Sequence, residues 1–248
     1  MPREHGGYAQ LGFPMAAAWL LARPGENAAL WTLACGLAFW AHEPLLILLG
    51  RRGKRELAQR GPGALRLVCL LLPAAMVAVV AAVLLPPAIP SAAFLPAMAL
   101  GAMASLLAAA GGERSLAGEL TAGLALVWAS LPVALAGALP PAPALALTLL
   151  WSCAMAAGML GVRGIVARAK YGSRTPGLAA AQVALAGLVP ALAFAAARLL
   201  PLRFALAPAP VAAISVAWVW RPPGARSLRR AGVLLVAANL AALVLLLA

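Results

Sequence analysis

Apolar residues in this chain do not alternate with polar ones at a strand or surface-helix period. They come in long unbroken runs, and the polar positions collect between them. Nine runs can be drawn, at roughly 7–22, 27–50, 66–85, 91–110, 117–138, 143–162, 178–200, 203–220 and 231–247. A membrane-spanning helix needs about 20 mostly apolar residues. The runs are Leu/Ala-rich and too long for the alternating strands of a barrel, so they predict helices. The expected fold is all-α: a polytopic membrane protein of about nine transmembrane helices. No gap is long enough for an extramembrane domain, so residues 1–248 read as a single integral domain. The widest gaps, Arg51–Leu65 and Arg163–Gly177, read as loops. Leu85–Pro90 and Pro140–Pro143 read as tight Pro-rich turns.

Composition agrees. The chain is 65% hydrophobic and 10% charged, with mean hydropathy +0.97, whereas soluble domains run near ~25% charged. The net charge of +13 would suit nucleic acid, but its placement argues against that partner. With a cytoplasmic N-terminus, all 19 Lys and Arg residues except Arg23, Arg198 and Arg203 fall in the gaps on one side. That asymmetry fits the positive-inside rule and predicts N-in, C-out. Residues 1–12 lack a basic leader, and no clear small-residue cleavage site follows, so no cleavable signal is expected. Cys35, Cys69 and Cys153 stand alone in three runs and read as small core residues. Gly158, Gly161 and Gly164 put a flat stripe on the sixth run, read first as helix contact.

Candidate chemistry is scarce. All six acids are Glu. The only two histidines each adjoin a glutamate, as Glu4-His5 and His42-Glu43. The opening motif, Pro2-Arg3-Glu4-His5-Gly6-Gly7-Tyr8-Ala9-Gln10, concentrates polar groups at a membrane face. It reads as a lid or ligand donor, or else as an interfacial leader anchored by Tyr8.

The second motif is Trp40-Ala41-His42-Glu43-Pro44, followed by Gly50-Arg51-Arg52-Gly53. Pro44 removes the partner of the Trp40 carbonyl and predicts a kink. Phe39, Glu43, Ile47 and Gly50 share a helical face. Glu43 should therefore point into the bundle, roughly 12 Å along the helix from Arg51 and within reach of a basic side chain folding inwards. A functional acid beside an imidazole and a structural ion pair both fit.

The third motif runs from Arg163 to Pro176. Arg163 and Lys170 share a face, and with Arg51, Arg52 and Tyr171 they suit an anionic headgroup, or they simply hold anionic lipid. Gln182, Asn239, Ser130 and Thr148 are expected to hydrogen-bond across helix contacts. Glu119, just after Ser115, should favour a helix dipole.

The start Pro2-Arg3-Glu4-His5-Gly6-Gly7-Tyr8-Ala9 and the later His42-Glu43-Pro44-Leu45-Leu46…Gly50-Arg51-Arg52-Gly53 resemble the YwiC-like family of bacterial integral membrane proteins, over essentially the whole chain in length and helix pattern. That resemblance implies a multi-pass location in a bacterial inner (cytoplasmic) membrane. A more distant likeness is to the UbiA-type intramembrane prenyltransferases. It implies a bundle of two four-helix halves plus one, with catalytic loops after helices 2 and 6, where the basic stretches Arg51–Arg55 and Arg163–Arg174 stand here. Those enzymes hold magnesium diphosphate on Asp-rich motifs. This chain has no Asp, so an enzyme of this kind would lack the magnesium motifs, and neither metal nor cofactor is expected.

The expected ligand is a membrane lipid or isoprenoid with an anionic head, bound in a cavity facing the cytoplasm. Glu4, Tyr8, Gln10, Arg51, Arg52, Arg163, Lys170 and Tyr171 are the candidate ligand residues. His42, Glu43 and His5 are the acid/base candidates, and binding with or without catalysis fits them. The competing reading is a proton-coupled carrier that uses Glu43 and His42.

Overall fold

The computed structural model describes residues 5–85, 91–137, 139–224 and 228–248. Arg3, Glu4, the Pro-rich turn at 86–90 and Arg226 lie outside the described residues, as do the side chains of His5, Gly6 and Gly7. Every regular element among the described residues is helical. The helices are α1 (His5–Ala22), α2 (Glu26–Leu48), α3 (Lys54–Leu84), α4 (Leu95–Ala109), α5 (Leu116–Trp128), α6 (Ser130–Leu135), α7 (Pro141–Tyr171), α8 (Thr175–Ala196), α9 (Leu202–Leu206), α10 (Ala209–Trp220) and α11 (Leu228–Leu247). A short 3-10 turn at Ser91–Ala93 leads towards α4. Taking α5 with α6 and α9 with α10 as interrupted rods gives nine rods among the described residues. Seven of them are long and apolar enough to cross a membrane. The other two, α1 with 18 residues and α4 with 15, are shorter.

Helices are the natural outcome in hydrocarbon, because each backbone N–H and C=O finds its partner within the same segment. α3 and α7 each run for 31 residues, about 46 Å at ~1.5 Å per residue, against a hydrocarbon core of about 30 Å. Their surplus lengths are the basic ends. The stretches expected as loops at Arg51–Leu65 and Arg163–Gly177 are therefore mostly helix. The connections shrink to Leu49–Gly53 and Gly172–Arg174. Charge does not oppose helix formation once the segment has left the membrane, and Glu56 bridges to Arg60 one turn later at 3.2 Å.

The contacts sort the chain into two compact units: residues 1–8 with 22–139, and residues 9–21 with 140–248. Unit 1 contains the four rods α2, α3, α4 and α5/α6. Unit 2 contains α7, α8, α9/α10 and α11, together with most of α1. This matches two four-helix halves plus one, the additional member being α1. Each unit opens with a helical hairpin whose turn is basic, α2–α3 and α7–α8, and these hairpins make the largest helix contacts in their units.

In unit 1 the Trp31 ring meets Phe94 edge-on at 4.7 Å. Its indole N–H donates to the Ala129 carbonyl at 2.7 Å. Ala129 is the break between α5 and α6, so Trp31 partners a carbonyl at the interruption. α3 is peripheral, with only 17% of its apolar window buried. Leu70, Met76, Val77 and Leu84 point outward, as a lipid-facing wall should. Cys69 is exposed on the same helix, which corrects its expected place in the core. α7 is the opposite case, 61% buried in its window, and is the central rod of unit 2. Phe13 of α1 stacks on its Trp151 at 6.1 Å.

The small polar groups inside helices also differ from expectation. Ser130, Thr148, Ser152 and Asn239 donate to Val127, Ala144, Thr148 and Leu235 carbonyls of the preceding turn. In apolar surroundings that carbonyl is the nearest acceptor, and no second helix has to be aligned to reach it. Ser115 does cap α5, accepting from the Gly118 N–H at 3.0 Å, and Glu119 lies in the first turn as the dipole argument requires.

Candidate functional site

Two polar neighbourhoods stand out, one in each unit. The first is the turn between α2 and α3. Gly50 and Gly53 take φ of 71° and 93°, which glycine adopts without a steric penalty. Between them lie Arg51 and Arg52, which diverge. Arg52 folds back along α2 onto Glu43. Its Nε lies 3.0 Å from one carboxylate oxygen and an Nη lies 2.6 Å from the other, a two-pronged charge-assisted contact. Both side chains are only 15% exposed. Arg51 goes the other way and donates to the Ala109 carbonyl at the end of α4. A cation there also favours the negative end of a helix dipole. One turn thus closes the α2–α3 hairpin and ties it to α4.

α2 continues through Pro44 to Leu48. Glu43 sits on the expected inward face, between half-buried Phe39 and buried Ile47. Tyr8 packs edge-on against Phe39 at 5.0 Å, one turn from Glu43. His42, about 100° round the helix, is exposed. His5 is the first residue of α1, with its side chain outside the described residues, as is Glu4 altogether.

The second neighbourhood is a shallow crevice in unit 2. Its floor is Gly161, Gly164 and Ile165 of α7 with Gly177 of α8. Trp218, Val219 and Pro222 form an apolar wall, and Arg168, Ser173 and Arg174 supply the polar edge. The glycines make it possible. A Cβ on Gly164 would lie 2.8 Å from the Gly177 nitrogen and 2.9 Å from its Cα, so the two backbones touch. A Cβ on Gly161 would meet the Trp218 ring at 3.1 Å, and Gly158 meets Leu235. The stripe is therefore a contact surface, as expected. Arg168 is steadied by donating to the Val219 carbonyl at 3.3 Å. Gly172, with φ of 68°, ends α7 and turns the chain so that Ser173 and Arg174 face back.

The α7 cations singled out from the sequence lie on another face from this crevice. Gly161, Gly164, Ile165 and Arg168 recur at helical spacing and share one face, while Arg163 is displaced from it by about 150°. Arg163 is half-buried and does not line the crevice. Lys170 and Tyr171 are exposed, the ammonium 5.2 Å from the ring centroid. Gln10 donates to the Met159 sulfur at 2.9 Å within unit 2. The legible signal for Arg168 was its spacing of seven from Gly161.

A stack of long apolar helices with cations gathered at the helix turns is the architecture of a multi-pass membrane protein. The sequence matches the YwiC-like protein family over residues 1–134. The chain belongs to that family. The match ends within α6, so it takes in the Glu43–Arg52 turn and stops before the crevice of unit 2, short of the whole-length likeness expected. Searches of curated proteins and of solved structures found no match.

Proposed function

We propose that this protein binds an amphipathic lipid or isoprenoid by its anionic head, at the cytoplasmic face of a bacterial inner membrane. The crevice of unit 2 carries the reading. Two guanidinium groups and a hydroxyl stand at the basic end of α7, against an apolar wall that suits the first carbons of a tail. Arginine is the side chain best shaped for a multidentate grip on an oxyanion.

The Glu43–Arg52 contact favours binding over the proton-coupled carrier. Both Glu43 carboxylate oxygens are taken by Arg52, as in a structural ion pair. If a chemical step follows binding, His42 and His5 are the remaining acid/base candidates.

The test is mass spectrometry of gently solubilised protein. An anionic amphiphile should co-purify and be lost from the Arg168→Ala/Arg174→Ala variant. An equal lipid load on both proteins, or none on either, refutes the reading.

A further inference from the structure

All six Glu residues lie at or before position 119, and the chain has no Asp. Residues 9–21 and 140–248, which make up unit 2, therefore contain no acidic side chain, while ten Lys and Arg residues fall between 140 and 248. No carboxylate side chain within the unit can neutralise Arg168 or Arg174. Unit 1 treats its buried-edge arginine differently, matching Arg52 with Glu43. A pair of cations facing a crevice without an acid calls for an anion from outside.

We infer that the crevice selects a phosphate group, as a lipid monoester or as the free ion, over a carboxylate. The inference rests on the reading that this crevice binds an anion, and it names which one. The donors reach the crevice from different elements. Arg168 comes from α7, held by the Val219 carbonyl. Ser173 and Arg174 come from the turn after Gly172. Gly177 of α8 lies against the floor at Gly164, and the Thr175 N–H donates to the Ser173 hydroxyl at 3.4 Å, which fixes the turn. Donors arriving from several sides suit a tetrahedral group with three free oxygens and up to two charges. A carboxylate offers two coplanar oxygens, which a single guanidinium fork already satisfies. The apolar wall of Trp218, Val219 and Pro222 lowers the local dielectric and strengthens each contact.

The experiment uses the full chain in non-ionic detergent and measures binding of three probes at neutral pH: dodecyl phosphate, dodecanoate and inorganic phosphate. Dodecyl phosphate should bind at least about tenfold tighter than dodecanoate. Arg174→Ala and Ser173→Ala, both outside the helices, should each weaken it, the former by about tenfold. Arg203→Ala, a cation beyond the far end of α8 from the crevice, should leave it unchanged. Equal binding of the two amphiphiles overturns the phosphate inference and leaves the anionic-head reading standing. Inorganic phosphate binding as tightly as dodecyl phosphate supports the phosphate chemistry and removes the lipid from the proposal. Binding of none of the three, or equal loss in Arg203→Ala, overturns both.

Discussion

Arg52→Ala is the sharpest perturbation of unit 1. It leaves Glu43 inside α2 with its counter-charge gone and two hydrogen bonds of 3.0 and 2.6 Å lost. A hydrogen bond to a charged group contributes about 1.5–3 kcal/mol, and breaking a fully buried ion pair costs about 3–5 kcal/mol. At 15% exposure on each side the pair is not fully dry, and Glu43 keeps some access to water. The expected loss is therefore about 2–3 kcal/mol. Glu43→Ala removes the same two hydrogen bonds and should also destabilise. The double variant should cost less than the sum of the two, with a coupling energy of about 1.5–2 kcal/mol. The assay is a double-mutant cycle by reversible SDS titration in mixed micelles, followed by the intrinsic fluorescence of the seven Trp residues. Additive losses, with no coupling beyond about 0.5 kcal/mol, would refute the claim that Arg52 and Glu43 act as a unit. Glu43→Gln sharpens the reading: it keeps the shape and one acceptor, so it should fall between wild type and Glu43→Ala.

Three other outcomes are expected. Gly164→Ala places a methyl under 3.0 Å from the Gly177 backbone and should destabilise by about 1–3 kcal/mol in the same titration; a neutral result would contradict the backbone contact between α7 and α8. Arg198 follows α8 in a left-handed conformation, φ 59°, so Arg198→Gly should stabilise by up to about 1 kcal/mol, and a loss of stability would show that its side chain matters more than its backbone. For topology, single cysteines at Lys54 and Ser173 in a cysteine-free background should react with an impermeant maleimide only from the cytoplasmic side, and one at Leu199 only from the opposite side; Lys54 and Ser173 labelling from opposite faces would break the N-in, C-out arrangement.

The candidate site was partly readable in advance. Glu43 could be placed inward from helical phase alone, since Phe39 and Ile47 flank it at spacing four, and a basic partner within reach was anticipated. Which arginine would serve was not readable. Arg51 and Arg52 are adjacent in sequence, and the left-handed Gly50 and Gly53 send them in different directions. On α7 the phase argument was applied to Arg163 and Lys170, while the crevice lies on the face of Arg168. Choosing between those faces required knowing where α8 and α10 pack.

The sequence alone determined the solvent of this protein and the character of its elements. Unbroken apolar runs have to be helices in hydrocarbon, and cations have to collect at their ends, because both follow from the local cost of burying a peptide group or a charge. The tertiary structure decided the partnerships: Arg52 with Glu43, Arg51 with the Ala109 carbonyl, and Arg168 with Arg174 across a floor of glycines. Those depend on turn dihedrals and helix contacts that bring together residues from separate elements, and no run of residues encodes them locally.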